Sequence, residues 1–156
     1  MSDIFNQNSL EIIREPSSKL RTYSIFKRGA GFEDYLVQVK NVVERQLITR
    51  FRLSNHRLMV EVGRHQNIEN VEDRVCPFCP GKVEDESHFI FDCDTYRIPR
   101  QNLIIPITKS IPGFKFLSKT EKLEFVMCKM DINVCKYIAN CMEIRFFLEW
   151  KPKQHL

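Results

Sequence analysis

The chain has 156 residues, 43% hydrophobic and 28% charged, with 24 Lys+Arg against 20 Asp+Glu and a formal net charge of +4. That size and balance fit one folded domain with a core of its own, and 5 Gly with 7 Pro exclude a low-complexity chain. No apolar run reaches the roughly 20 residues of a membrane-spanning helix, and MSDIFNQNSLEII has neither the basic nor the apolar region of a signal peptide. The expectation is an intracellular protein without membrane contact, whose six cysteines are thiols or metal ligands rather than a disulfide framework.

Residues 1–18 read as a leader, closed by the turn Glu15-Pro16-Ser17-Ser18. Residues 19–28 suit a short helix or strand, and Gly29-Ala30-Gly31 breaks it. From Phe32 to about Leu53 apolar residues recur in steps of three and four, which predicts helix with a joint near Lys40-Asn41. Ser54-Asn55 reads as the cap of a helix over 56–62, with Gly63 as its terminator. A polar connection over 64–75 follows. Residues 96–103 suggest a helical turn interrupted by Pro99, and Pro106 and Pro112-Gly113 suggest loops. Ser118-Lys119-Thr120-Glu121 opens a helix to about Lys129. A last helix runs from about Ile132 to Trp150, with Val134, Tyr137, Ile138, Cys141, Ile144 and Leu148 on its apolar face and Pro152 as its stop. The aromatics Phe125, Tyr137, Phe146, Phe147 and Trp150 read as core, with a base-stacking platform as the second reading because Lys136, Arg145 and Lys151 interleave them. The fold class expected is mostly α: a small helical domain over 19–156 with an embedded CCHC zinc knuckle at 76–93.

Between Cys76 and Cys93 the chain reads C-P-F-C-P-G-K-V-E-D-E-S-H-F-I-F-D-C. Three thiols and one imidazole match the ligand set of a closed structural zinc site, with Cys76, Cys79, His88 and Cys93 as the ligands. Pro77 and Pro80-Gly81 favour the tight turn that aims two nearby sulfurs at one ion. A five-residue step on a regular α-helix sets side chains about 140° apart. His88 therefore sits at a helix start, or the helix loosens before Cys93. Phe89, Ile90 and Phe91 are expected to plug this segment into the core. Glu84, Asp85, Glu86, Asp92 and Asp94 make it an acidic patch, and three thiolates around Zn2+ would leave the site itself formally −1, which opposes direct contact with phosphate.

Charge is unevenly spread. Residues 40–64 hold Lys40, Arg45, Arg50, Arg52, Arg57 and Arg64 against Glu44 and Glu61, so 6 − 2 gives +4. On a continuous helical wheel Val43, Leu47, Phe51, Leu58 and Val62 form one stripe. Arg50, Arg57 and Arg64 follow its border, and Arg45 and Arg52 lie on the outward side. Two readings stand: a phosphate-facing surface, or a solvated face whose arginines snorkel over the core edge. His56 and His65 read as structural or exposed. Cys128, Cys135 and Cys141 lack ligand spacing and read as buried thiols. No nucleophile elbow, P-loop, dinucleotide fingerprint or H-E-x-x-H occurs, and no carboxylate pair stands out, so a non-enzymatic protein with no small-molecule substrate is expected.

The stretch Arg45-Gln46-Leu47-Ile48-Thr49-Arg50-Phe51-Arg52-Leu53-Ser54-Asn55-His56-Arg57-Leu58, followed by Gly63-Arg64, Cys76-Pro77-Phe78-Cys79, Glu84-Asp85-Glu86-Ser87-His88-Phe89-Ile90-Phe91-Asp92-Cys93, Tyr96 and Arg100, resembles a known region. It is similar to the zinc-binding region downstream of the polymerase in non-LTR retroelement reverse transcriptases. The resemblance covers about a third of the chain. The flanks Ser18-Lys19-Leu20-Arg21-Thr22-Tyr23 and Phe146-Phe147-Leu148 look like extensions of animal members. It implies Cys76, Cys79, His88 and Cys93 as ligands of one structural Zn2+, and a role in holding template RNA or target DNA. The sequence departs from the family in having no polymerase segment and no Tyr-x-Asp-Asp, so the expected role is binding without polymerisation. The expected contact surface is 45–64, through Arg45, Arg50, Arg52, Arg57 and Arg64. The competing expectation is a protein–protein interaction module that docks a partner or a polymerase domain through the acidic finger and its apolar flanks.

Overall fold

A computed structural model describes residues 20–27, 31–129 and 131–150. The leader expected at 1–18 and the stop expected at Pro152 lie outside the described residues. Those residues are mostly helical, with no strand among them. In chain order they form α1 (Arg21–Phe26), α2 (Tyr35–Gln38), α3 (Val42–Arg52), α4 (Met59–His65), α5 (Arg97–Ser110), α6 (Lys119–Lys129) and α7 (Asp131–Trp150). Short 3-10 turns stand at Val71–Asp73, Asp94–Tyr96 and Pro112–Phe116, and a π turn at His88–Asp92.

The joint expected near Lys40-Asn41 has a clear cause. The Asn41 side chain accepts from the backbone N–H groups of Val43 and Glu44 at 2.9 and 3.3 Å, capping α3. Val43, expected on the apolar stripe, is 63% exposed, and the core face is instead Ile48, Phe51 and Arg52. Tyr35 ties α2 to α3 through its hydroxyl, 3.1 Å from Thr49 Oγ1.

α4 corrects two expectations. It begins at Met59, not His56, and Ser54-Asn55 does not cap it. Its first turn is capped from a distance: Glu84 Oε2 accepts from Met59 N at 2.7 Å, placing a carboxylate at the positive end of the helix. Gly63 lies inside the helix rather than ending it. A Cβ there would meet Arg74 Cγ at 2.6 Å. The glycine leaves room for Arg74 to cross the helix and donate to the carbonyls of Val60 and Ile68.

α5 absorbs both prolines that were expected to break it. Pro99 falls in the first turn, where a backbone N–H has no helical partner to lose. Pro106 sits inside the helix on an exposed position. α6 opens as expected: Ser118 N donates to Glu121 Oε2 at 2.8 Å, and Glu121 N donates back to Ser118 Oγ at 3.3 Å.

α7 is the central element and packs against α2, α3, α5 and α6. Val134, Cys135, Tyr137, Ile138 and Cys141 are all buried on it. Phe146 and Phe147, expected in the core, are 60% and 64% exposed. Phe89 and Ile90 are fully buried and plug the cysteine segment into this core as expected, with Phe91 half-buried. The Phe89 ring touches those of Phe51, Tyr96 and Tyr137, and Tyr137 Oη donates to Phe89 O at 2.7 Å.

Candidate metal centre and arginine face

The first two cysteines sit on a loop closed by backbone bonds. Val75 and Val83 form an isolated antiparallel bridge. Cys76 N donates to Lys82 O at 2.7 Å, and Glu84 N donates to Arg74 O at 2.9 Å. The turn between them needs Gly81, whose φ of +74° lies in the left-handed region. The second pair comes from a different local structure. Asp85 Oδ1 accepts from His88 N at 2.6 Å, fixing where the turn starts. The chain then widens, and Cys93 N reaches back five residues to His88 O at 2.8 Å. This π turn is the loosening that the His88–Cys93 spacing demanded.

The ligand atoms of Cys76, Cys79, His88 and Cys93 all lie within 4.8 Å of one another, close enough to hold a metal ion. The sulfurs of Cys79 and Cys76 are 3.7 and 4.0 Å from that of Cys93. Sulfurs held tetrahedrally at zinc–thiolate bond length stand about 3.8 Å apart, and a disulfide would need about 2 Å. His88 Nε2 is buried and has no hydrogen-bond partner among the described residues. A buried ring nitrogen left unpaired is costly, and a cation among three sulfurs would satisfy it. Burial pushes the Cys76 thiol up to about 12, with Glu84 and Cys93 adding to the rise, and it raises Cys93 too. A divalent ion would offset the same penalty by pairing with the thiolates. The residues present thus fit one structural metal. Cys128 is half-buried, Cys135 and Cys141 are buried, and none of the six cysteines forms a disulfide.

Two of the five acids expected around the ligands are internal, and Asp85 is half-buried. Glu84 is fully buried and paired with Arg145, whose Nη1 and Nη2 lie 2.5 and 3.2 Å from its carboxylate. Glu86 is buried against His56, with Nε2 2.8 Å from Oε1. Asp92 and Asp94 remain exposed, and Asp92 is bridged by Lys119 at 2.6 Å. The surface near the metal centre therefore carries fewer free carboxylates than its composition suggests, with Asp92 and Asp94 the exposed ones. A cleft of about 570 Å3 adjoins it, lined by Cys79, Lys82, His88 and Lys119 among others.

The five arginines of 45–64 part ways. Arg50 and Arg57 are exposed and come together on one cleft of about 230 Å3 between α3 and α7, alongside His56 and Phe146. Arg45 is half-buried and donates to Val39 O at 3.0 Å. Arg64 is exposed and stands 3.5 Å from Glu61. Arg52 requires a correction: expected to face outward, it is buried, donates to Met127 O at 2.6 Å and Glu33 at 2.5 Å, and lies 4.8 Å from the Tyr35 ring centre. It falls four residues after Ile48, on the core face of α3, so it braces helices and cannot meet phosphate.

Arg145 was missed as a functional neighbour of the site. Its signal was available: it falls four residues after Cys141 on the buried stripe of α7, where a charge must be paired. It meets Glu84 there and lies 5.6 Å from the centre of the Phe78 ring, inside the C-x2-C turn.

No family model, curated protein or solved structure matches this chain. Among the described residues, no helix is long and apolar enough to cross a membrane.

Proposed function

We propose that this chain is a zinc-stabilised, non-enzymatic binding module of the kind found in non-LTR retroelement reverse transcriptases, which contacts RNA or DNA through the face bearing Arg50 and Arg57. The observation that carries it is the Cys3His cluster, with its unpartnered imidazole nitrogen and sulfurs at tetrahedral spacing. Three thiolates and one neutral imidazole prefer zinc over the hard cations that oxygen ligands select. When bound, the ion supplies charge pairing for the thiolates and a covalent-strength tie between the 75–84 loop and the 88–93 turn. That tie holds Glu84, and Glu84 caps α4, so the metal stabilises the frame behind Arg57. Arg45, half-buried against Val39 O, and Arg64, exposed beside Glu61, stand outside the cleft lining, and Arg52 is buried away from any ligand.

Two measurements test the reading together. Metal analysis of the purified chain should give one zinc per molecule, lost in a Cys79→Ser, Cys93→Ser variant. Binding to short RNA and DNA should weaken steeply with added salt and collapse in Arg50→Glu, Arg57→Glu. A purified chain that neither carries zinc nor takes it up, or nucleic-acid binding indifferent to those two arginines, overturns it. The alternative, protein docking, draws on the exposed Phe146 and Phe147 of α7. Of the acidic finger, Asp92 and Asp94 remain exposed and Asp85 half-buried for such docking, while Glu84 and Glu86 are internal.

A further inference from the structure

A second basic surface lies outside 45–64, beside the metal centre, with whose adjoining cleft it shares Asp92 and Lys119. α5, the Pro112–Phe116 turn and the start of α6 enclose a groove of about 440 Å3. Its floor is apolar, with Phe91, Ile104, Ile105 and Phe114. Its walls carry Arg97, Arg100, Lys115, Lys119 and Lys122 against one carboxylate, Asp92, so 5 − 1 leaves a formal +4. The fold holds several of these cations in place. Arg100 donates to Cys93 O at 2.9 Å, Lys122 stands 6.0 Å from the Phe114 ring centre, and Lys119 bridges to Asp92 at 2.6 Å in a largely solvated pair.

We propose that this groove docks an acidic, amphipathic peptide segment of a partner protein. The cations select the charge of the occupant, and the floor selects apolar side chains. The volume suits a few side chains rather than a whole domain face. Nucleic acid fits less well. Stacked bases need an open aromatic face, whereas Phe114 is buried with its edge against Phe125, Phe91 is half-buried, and the most open floor residue is the aliphatic Ile105, 47% exposed. Lys119 sets the order of events: an incoming carboxylate replaces Asp92 as its partner, so Asp92 is a built-in competitor.

The test uses the full zinc-loaded chain and a fluorescent synthetic peptide that alternates Glu or Asp with Leu or Phe. Controls are the same peptide with Lys in place of its acids, and a short oligouridylate. The acidic peptide should bind and the basic one should not. Lys115→Glu, Lys119→Glu, Lys122→Glu should weaken peptide binding by about tenfold or more, and Ile105→Ser should weaken it even in high salt. Asp92→Asn should strengthen it, and Arg57→Glu, outside the groove, should leave it unchanged. Metal content and helical circular dichroism verify each fold, and Lys115→Glu alone replaces the triple variant if that variant does not fold. Peptide binding that is absent, or indifferent to both the lysine and Ile105 variants, overturns the proposal. So does oligouridylate binding through these lysines with no peptide binding. Loss of nucleic-acid binding in Arg57→Glu bears only on the arginine face, so the two readings fail separately.

Discussion

Arg145 and Glu84 pair 61 residues apart in sequence, with their side chains 4% and 1% exposed and Nη1 2.5 Å from Oε1. The pair joins α7 to the loop that carries Cys76 and Cys79. Glu84 also caps α4 through Met59 N. One carboxylate therefore couples three parts of the fold, and its charge is met from two sides. Removing only the arginine leaves a buried, uncompensated anion, which typically costs about 3–5 kcal/mol. Arg145→Met should lower stability on that scale in urea unfolding. Arg145→Met with Glu84→Gln should recover part of the loss, because the stranded charge is gone. A double variant no better than the single would show that packing of Arg145 on Phe78, rather than charge, is what matters.

Gly63 carries a packing prediction. Its hydrogen occupies the space where Arg74 passes, and a methyl group would sit 2.6 Å from Arg74 Cγ and 2.9 Å from Cδ. In a helix interior, Gly→Ala ordinarily helps by about 1 kcal/mol. Here the displaced Arg74 would loosen its bonds to Val60 O, Ile68 O and Glu69 O. Overpacking of this kind costs about 1–3 kcal/mol, so Gly63→Ala should be net destabilising. Equilibrium unfolding gives the sign directly.

The difference between what could and could not be read from sequence follows from range. The metal cluster was legible because its four ligands fall within eighteen positions and their spacing carries its own geometry. The π turn was half-legible, since a five-residue step cannot close on a regular helix. Helix ends set by nearby side chains, at Asn41 and Ser118, were legible as well. α4 was misread because its cap is Glu84, 25 residues onward. Glu84 and Glu86 of the acidic patch were misread for the same reason: composition counts them as surface charge, and only the fold reveals Arg145 and His56 against them. Arg52 was misplaced because the wheel centred its stripe on Val43, Leu47 and Phe51, whereas the buried face of α3 is Ile48, Phe51 and Arg52.

The first helices are tied to the core by charge, which gives a pH prediction. Glu33 accepts from Lys27, from Tyr23 Oη at 3.0 Å and from Arg52 at 2.5 Å. Burial by itself raises its pKa, but the Lys27 and Arg52 cations and the Tyr23 hydroxyl outweigh it, and the net shift is downward. A depressed carboxylate stabilises the fold above its unfolded pKa and loses that contribution as pH falls through its folded value. Acidification below the ordinary glutamate range should therefore loosen the α1–α2 region ahead of α7. Hydrogen exchange at successive pH values reads this out, and Glu33→Gln should be weaker at neutral pH with a flatter acid dependence. Equal protection loss in α1 and α7 would place the acid-labile contacts elsewhere.

Metal removal should separate the cysteine segment from the helical core. The segment is held in two ways: by the four candidate ligands, and by Phe89, Ile90 and Tyr96, which are fully buried. The contacts of α7 with α3, α5 and α6 do not pass through the ligands. Chelation should therefore leave most of the helical signal in circular dichroism and lower the melting temperature. Hydrogen-exchange protection should fall first at Cys76 N, Glu84 N and Cys93 N, the three amides that close the loop and the π turn. Met59 N should follow, because its acceptor Glu84 sits on the loosened loop. His88→Ala should reproduce the pattern without chelator, while His65→Ala, on an exposed position of α4, should not. If protection at Met59 persists while the loop amides exchange freely, Arg145 alone is enough to hold Glu84, and the metal does not reach the arginine face.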